Sequence, residues 1–175
     1  MGQLQIPAPS ANAIMNELRI TSSTTWTAPS GVNKVWVLMI GGGGGASATT
    51  STAVAVPGTT GGIVNQQVSI SAGTTYSAVI GAGGSNVGGG SNGNSGNNTT
   101  MFGLTAVGGQ GGQRQLNFSG GGYQGGGINW SGGVNGVTYL DDNHTADVNT
   151  GNSGTGTYNQ GAAGGSGLII LRWAA

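Results

Sequence analysis

A chain of 175 residues is long enough for one domain with a sizeable core and too short for two comfortable ones. It carries 40 Gly, 4 Pro and no Cys, with four Lys plus Arg against four Asp plus Glu and no net charge. This composition excludes a basic surface for nucleic acid or anionic lipid, a disulfide framework, thiolate metal sites and a cysteine nucleophile. It also excludes collagen, which needs a strict G-X-Y period.

The first segment, "MGQLQIPAPSANAIMNELR", has no cationic start followed by an apolar stretch, and no run approaches the roughly 20 apolar residues of a membrane span. The expectation is synthesis in a cytoplasm without signal-directed secretion. Pro7 and Pro9 hold the chain extended, Ser10 suits an N-cap, and Ala13, Ile14, Glu17 and Leu18 form the apolar side of one or two helical turns. Residues 1–22 therefore read as an attachment arm or short helix, and residues 23–175 as the main domain. A helix packed on its own domain is the alternative.

From Thr24 the pattern is one of strands: "TTWTAP", a turn at "PSGVN", then "KVWVLMI". In "GIVNQQVSI" the residues Val64, Gln66, Val68 and Ile70 share one face, as do Tyr76, Ala78 and Ile80 in "TTYSAVIG". "SAGTT" between them has the length of a hairpin connection. "TMFGLTAVGG" and "SGLIILRW" complete about six strands, with no long helix. The core is expected where 35–40, 64–70, 76–80, 102–107 and 168–173 meet.

Glycine-rich tracts fill the rest: "GGGGG" at 41–45, "GAGG" and "GGG" at 81–90, "GGQGG" at 108–112, "GGG" at 120–122 and 125–127, and "GGSG" at 164–167. Such tracts usually behave as flexible coil. Here each leaves one strand and returns to another, so their ends are pinned. Ordering them costs about 1–2 kcal/mol per residue and needs a matching network of interactions. Polyglycine II rods, with three residues per turn and free N–H and C=O groups pointing outward, supply one. The fold class expected is thus all-β: a small antiparallel β-sandwich with ordered polyglycine-II-rich loops and a short N-terminal helix or arm.

The blocks "TTWTAPSGVNKVWVLMIGGGGGA", "VSISAGTTYSAVIGAGG", "TTMFGLTAVGGQGG" and "GAAGGSGLIILRW" resemble the glycine-rich domain recurring in tailed-phage tail fibres and tail-tip adhesins of the polyglycine II sandwich type. The resemblance covers roughly residues 24–173. It implies a virion protein made in the host bacterial cytoplasm and located at a tail fibre or tail tip. A bacterial surface receptor, glycan or outer-membrane protein, would be its target. Residues 1–20, with Ile6, Ile14 and Leu18 as apolar contacts, would attach it to another virion protein. A homotrimer and a single chain mounted on a trimer both stay open.

No catalytic constellation is visible. His144 is the one histidine, and the carboxylates are Glu17, Asp141, Asp142 and Asp147. "YLDDNHTAD" superficially resembles a calcium loop but lacks the glycine and terminal glutamate of an EF-hand. The chain reads as a non-enzyme with no metal or cofactor.

Among the aromatics, Trp26, Trp36, Tyr76, Phe102 and Trp173 fall in strand blocks and are expected in the core. Tyr123, Trp130, Tyr139 and Tyr158 fall among Gly and Asn, the composition of loop-borne binding surfaces. The candidate receptor-binding residues are Arg114, Phe118, Tyr123, Trp130, Tyr139, Asp141, Asp142, His144 and Tyr158. Two functions compete: an adhesin, and a purely structural tail-tip or fibre component without receptor contact. An ice-binding protein would show a regular G-x-x repeat with a flat Thr-rich face, which this sequence lacks.

Overall fold

A computed structural model describes residues 15–48, 56–113, 151, 156–157 and 160–174. The described residues contain no helix, and the all-β expectation holds. Eleven strands occur in chain order among them: β1 (Met15–Ile20), β2 (Thr24–Thr27), β3 (Lys34–Ile40), β4 (Ile63–Ser69), β5 (Thr75–Ala78), β6 (Val87–Gly88), β7 (Thr99–Met101), β8 (Leu104–Ala106), β9 (Gly156–Thr157), β10 (Gln160–Gly161) and β11 (Leu168–Ala174). The largest sheet has the order β1-β11-β3-β4, antiparallel throughout.

Strand β3 shows why this sheet forms. In "KVWVLMI" the alternate residues Val35, Val37 and Met39 are buried, so the period of two directs one apolar row inward. Met39 faces Ile169 and Val37 faces Leu171 across the β3–β11 ladder, and all four are 0% exposed. Strand β11 carries a continuous apolar run because Leu168 and Ile170 are buried on its other face as well.

The N-terminal helix expected over Ser10 to Leu18 is not what residues 15–20 form. They make β1, paired with β11 from Met15↔Ala174 to Ile20↔Ile169. Ser10, Ala13 and Ile14 lie outside the described residues, as does Ile6. In "MNELRI" the alternation sends Leu18 and Ile20 toward the core and Met15, Glu17 and Arg19 to solvent. Partnership with the apolar β11 outweighs the weak helical preference of so short a segment. Leu18, expected as an attachment contact, instead packs against the core of its own domain. Leu18 and Ile20 thus share a core with residues beyond 22.

Two further connections differ from expectation. Strands β4 and β5 are not a hairpin across "SAGTT": β4 pairs with β3, while β5 pairs with β2, so the chain crosses between sheets. "TMFGLTAV" is two strands and not one. Phe102 (φ 55°) and Gly103 (φ 74°) form a two-residue turn with both residues left-handed, as type I′ hairpins require. A phenylalanine is strained there. Its ring is held by packing, with its centroid 4.8 Å from that of Tyr76 and 6.0 Å from that of Trp26, both edge-on. Trp173 adds to this cluster at 5.6 Å from Trp26. A bridge between Val79 and Thr100 links β5 to the β7–β8 hairpin. The inward faces of all these strands meet in one core that includes Ile20, Trp26, Val37, Met39, Ala78, Met101, Ala106 and Leu171.

The strand ends define two poles. Met15, Lys34, Ser69 and Ala174 lie at one end of the large sheet, as the register sets them. At the other end Ile40 runs into Gly41, Gly62 into Ile63 and Gly167 into Leu168.

Removing residues 1–20 would delete β1 and the Leu18 and Ile20 contacts. Burial of an aliphatic side chain is worth about 1.5–3 kcal/mol. The truncated protein should therefore lose at least about 3 kcal/mol in urea unfolding, and an unchanged midpoint would show that β1 is dispensable.

The glycine block as candidate functional site

Beyond the glycine pole the segments 41–48, 56–62, 81–86, 91–98, 107–113 and 162–167 are neither helix nor strand, yet their backbone groups bond to one another. In segment 41–48 every residue is buried, and its N–H groups select their acceptors in rotation. Gly41, Gly44 and Ser47 donate to the carbonyls of Gly62, Thr59 and Val56. Gly42, Gly45 and Ala48 donate to Asn97, Asn94 and Ser91. Gly43 and Ala46 donate to Gly165 and Ala162, all eight bonds being 2.8–3.0 Å. Each partner segment recedes three residues per step, so it runs antiparallel to 41–48. A repeat of three with long-range bonds belongs to neither strand nor α-helix.

The carbonyls point to other neighbours. Gly42 and Gly45 accept from Gly109 and Gly112, and Gly43 accepts from Gly84, so segments 107–113 and 81–86 run parallel to 41–48. Among the described residues, five segments thus surround this one. They also bond to each other: Gly93 and Gly96 donate to Gly112 and Gly109, Thr59 and Gly62 to Gln110 and Val107, and Gly164 and Gly167 to Gly84 and Gly81.

Close approach explains the residue type. A Cβ on Gly41 or Gly44 would overlap the carbonyls of Val107 and Gln110, and one on Gly42 or Gly45 those of Ala82 and Ser85. In segment 107–113, "VGGQGGQ", a Cβ on Gly108 or Gly111 would meet the carbonyls of Gly96 or Gly93, and one on Gly109 or Gly112 those of Thr59 or Val56. Its third face carries Val107, Gln110 and Gln113, all exposed. Segment 91–98 needs glycine only at 93 and 96, where it faces Gly45 and Gly42. The share of glycine in each three-residue repeat thus follows how many sides are covered.

Side chains complete the network. Thr99, 0% exposed, accepts the Gly81 N–H on Oγ1 at 3.0 Å, and the Val56 N–H reaches Ser47 Oγ at 2.8 Å. Asn98 Oδ1 accepts from Gly108 N–H at 2.8 Å, and Thr59 Oγ1 from Gln110 N–H at 2.7 Å. No described buried side-chain polar atom lacks a partner. None of the described residues of these segments is charged.

The sequence-derived receptor residues Arg114, Phe118, Tyr123, Trp130, Tyr139, Asp141, Asp142, His144 and Tyr158 lie outside the described residues. The described residues flanking 114–150 both belong to the block. The Gln113 side chain accepts from Asn92 Nδ2, and Gly151 accepts from Gly61 N–H and donates to Ser166.

One aromatic expectation is corrected. Trp36 is not in the core: with Val35 and Val37 inward, the period of two turns it outward, and it is 44% exposed. The alternation within "KVWVLMI" was the signal for it.

A family model described as a glycine-rich domain matches residues 19–139, more than half of the chain. The chain belongs to that family. No curated protein sequence matches it.

Replacing Gly44 by Ala forces a methyl group into the Gln110 carbonyl and should cost about 3 kcal/mol, the upper range for overpacking. Gln110→Ala, at an exposed position of the same contact, should stay within about 0.5 kcal/mol. Equal melting temperatures for the two variants would contradict close packing at Gly44.

Proposed function

We propose that the chain is a phage virion receptor-binding protein, a tail-fibre or tail-tip adhesin that recognises a bacterial cell-surface receptor, glycan or outer-membrane protein, during host attachment. The observation that carries this reading is the two-pole layout. The N-terminal strand begins at the pole opposite the glycine block, so a domain fixed to a virion protein through residues 1–14 would hold the block away from its mount. The block is a rigid, charge-free base, and the segment 114–150 starts and finishes on it.

The repeat of three in the hydrogen bonds supports reading the block as polyglycine II rods packed against a β-sandwich. Trp130 and Tyr139 are the anchors we assign, since aromatic residues dominate binding energy in most interfaces. His144, Asp141 and Asp142 would contribute polar contacts.

Purified protein added to host bacteria should bind the cells and block phage adsorption. Trp130→Ala and Tyr139→Ala should each weaken cell binding about tenfold or more, the scale of losing an interface anchor, with the melting temperature nearly unchanged. Loss of stability with full cell binding per folded molecule would refute the receptor role of these rings.

A further inference from the structure

The outward face of the four-stranded sheet carries a second set of features that the glycine block does not use. Register places Glu17, Arg172, Trp36 and Gln67 in one row across β1, β11, β3 and β4. With strands about 4.8 Å apart the row spans roughly 14 Å. Trp36 is large, exposed and fixed, its indole N–H donating to Asn65 Oδ1. Glu17 holds the Arg172 guanidinium at 2.7 Å. Arg19, two residues along β1 from Glu17, and Lys34, two residues before Trp36, share this face and are exposed.

These four are all the charged residues among those described, and all stand on this one face: three cations against one carboxylate, an excess of two positive charges. Neither Arg19 nor Lys34 has an ion-pair partner among the described residues. The same face includes Met15, 64% exposed, where residues 1–14 join the sheet.

We infer that this face is the seat for a carboxylate-bearing, extended segment of the virion protein on which the domain is mounted. The inference rests on the adhesin reading above and adds a docking surface on the sheet to the N-terminal arm. Three observations favour that occupant. Arg19 and Lys34, without an ion-pair partner among the described residues, call for anions, and an excess of two among those residues is too small for nucleic acid, whose binding draws on many phosphate contacts. Tryptophan and arginine held in place by neighbours are the residue types that anchor protein partners. The face includes Met15, the first described residue, at the pole opposite the glycine block. A neutral glycan could stack on Trp36 but would leave Arg19 and Lys34 without counter-charge.

Two measurements on the full chain test this. In the first, an alternating Glu-Leu peptide is titrated while Trp fluorescence is recorded for the wild type and for Trp36→Phe, the difference isolating Trp36 among the four tryptophans. Binding that perturbs Trp36, weakens about tenfold from low to high salt by screening and falls comparably in Arg19→Glu/Lys34→Glu supports the inference. A missing response, an equal response to a Lys-Leu peptide, or a Trp36 response to neutral dextran overturns it. In the second, phage carrying Arg19→Glu/Lys34→Glu should incorporate less of the protein into particles, while the free variant still binds host cells and melts as the wild type does. Wild-type incorporation, or loss of cell binding by the free variant, overturns the inference. If even the wild-type free protein fails to bind host cells, the adhesin reading falls separately, and the peptide titration still decides what the face binds.

Discussion

Everything in this molecule depends on backbone approaching backbone without a Cβ between. Successive N–H groups of segment 41–48 take their acceptors from three neighbouring segments in rotation, and glycine on the facing surfaces lets those segments come close enough. The β-structure serves this requirement. Its strands are spaced by their own ladders, and their ends deliver chain after chain into the block at positions from which the next bond can be made. A buried polar backbone left unpaired would be costly, so the network tolerates few gaps.

Much of the β-structure was legible because it rests on local alternation. The inward rows of β3, β4 and β5 follow directly from Val35/Val37/Met39, Val64/Val68 and Tyr76/Ala78. What could not be read locally was pairing. "MNELRI" has both a weak helical face and a period of two over Glu17 to Ile20, and only the unpaired edge of β11 decides between them. "SAGTT" has hairpin length, but β4 and β5 sit in different sheets because each finds its partner earlier in the chain. Phe102 in a left-handed turn defies single-residue preference and is held by rings from two other strands. Trp36 shows the opposite failure, since the rule that large aromatics are buried was applied where the alternation already said otherwise.

The tracts at 120–122 and 125–127 lie outside the described residues; for the described ones the pinned ends were legible, yet the arrangement was not. "VGGQGGQ" announces two covered sides and one free one, without naming the segments that cover them. The candidate receptor residues rest on composition alone, because they fall outside the described part of the chain. The charged residues divide in a way no linear inspection reveals: among those described, every one is on the outer face of the large sheet, and the glycine block has none. Among the described residues polarity is therefore spatial, with ionic chemistry on the outer face of the large sheet and only amides, hydroxyls and backbone in the glycine block.

The position of β11 has a consequence for how the chain acquires its shape. It is the latest strand in the chain, yet it lies inside the sheet, between β1 and β3, and the residues just before it supply two of the acceptors for segment 41–48. Neither the sheet nor the block can close until that stretch has left the ribosome. Until then β1 lacks the one strand it pairs with among the described residues, and β3 lacks one of its two ladder neighbours. Contacts joining residues more than a hundred positions apart make folding slow and leave sticky intermediates exposed. Synthesis of this protein thus includes a waiting period in which one edge of β3 stays open.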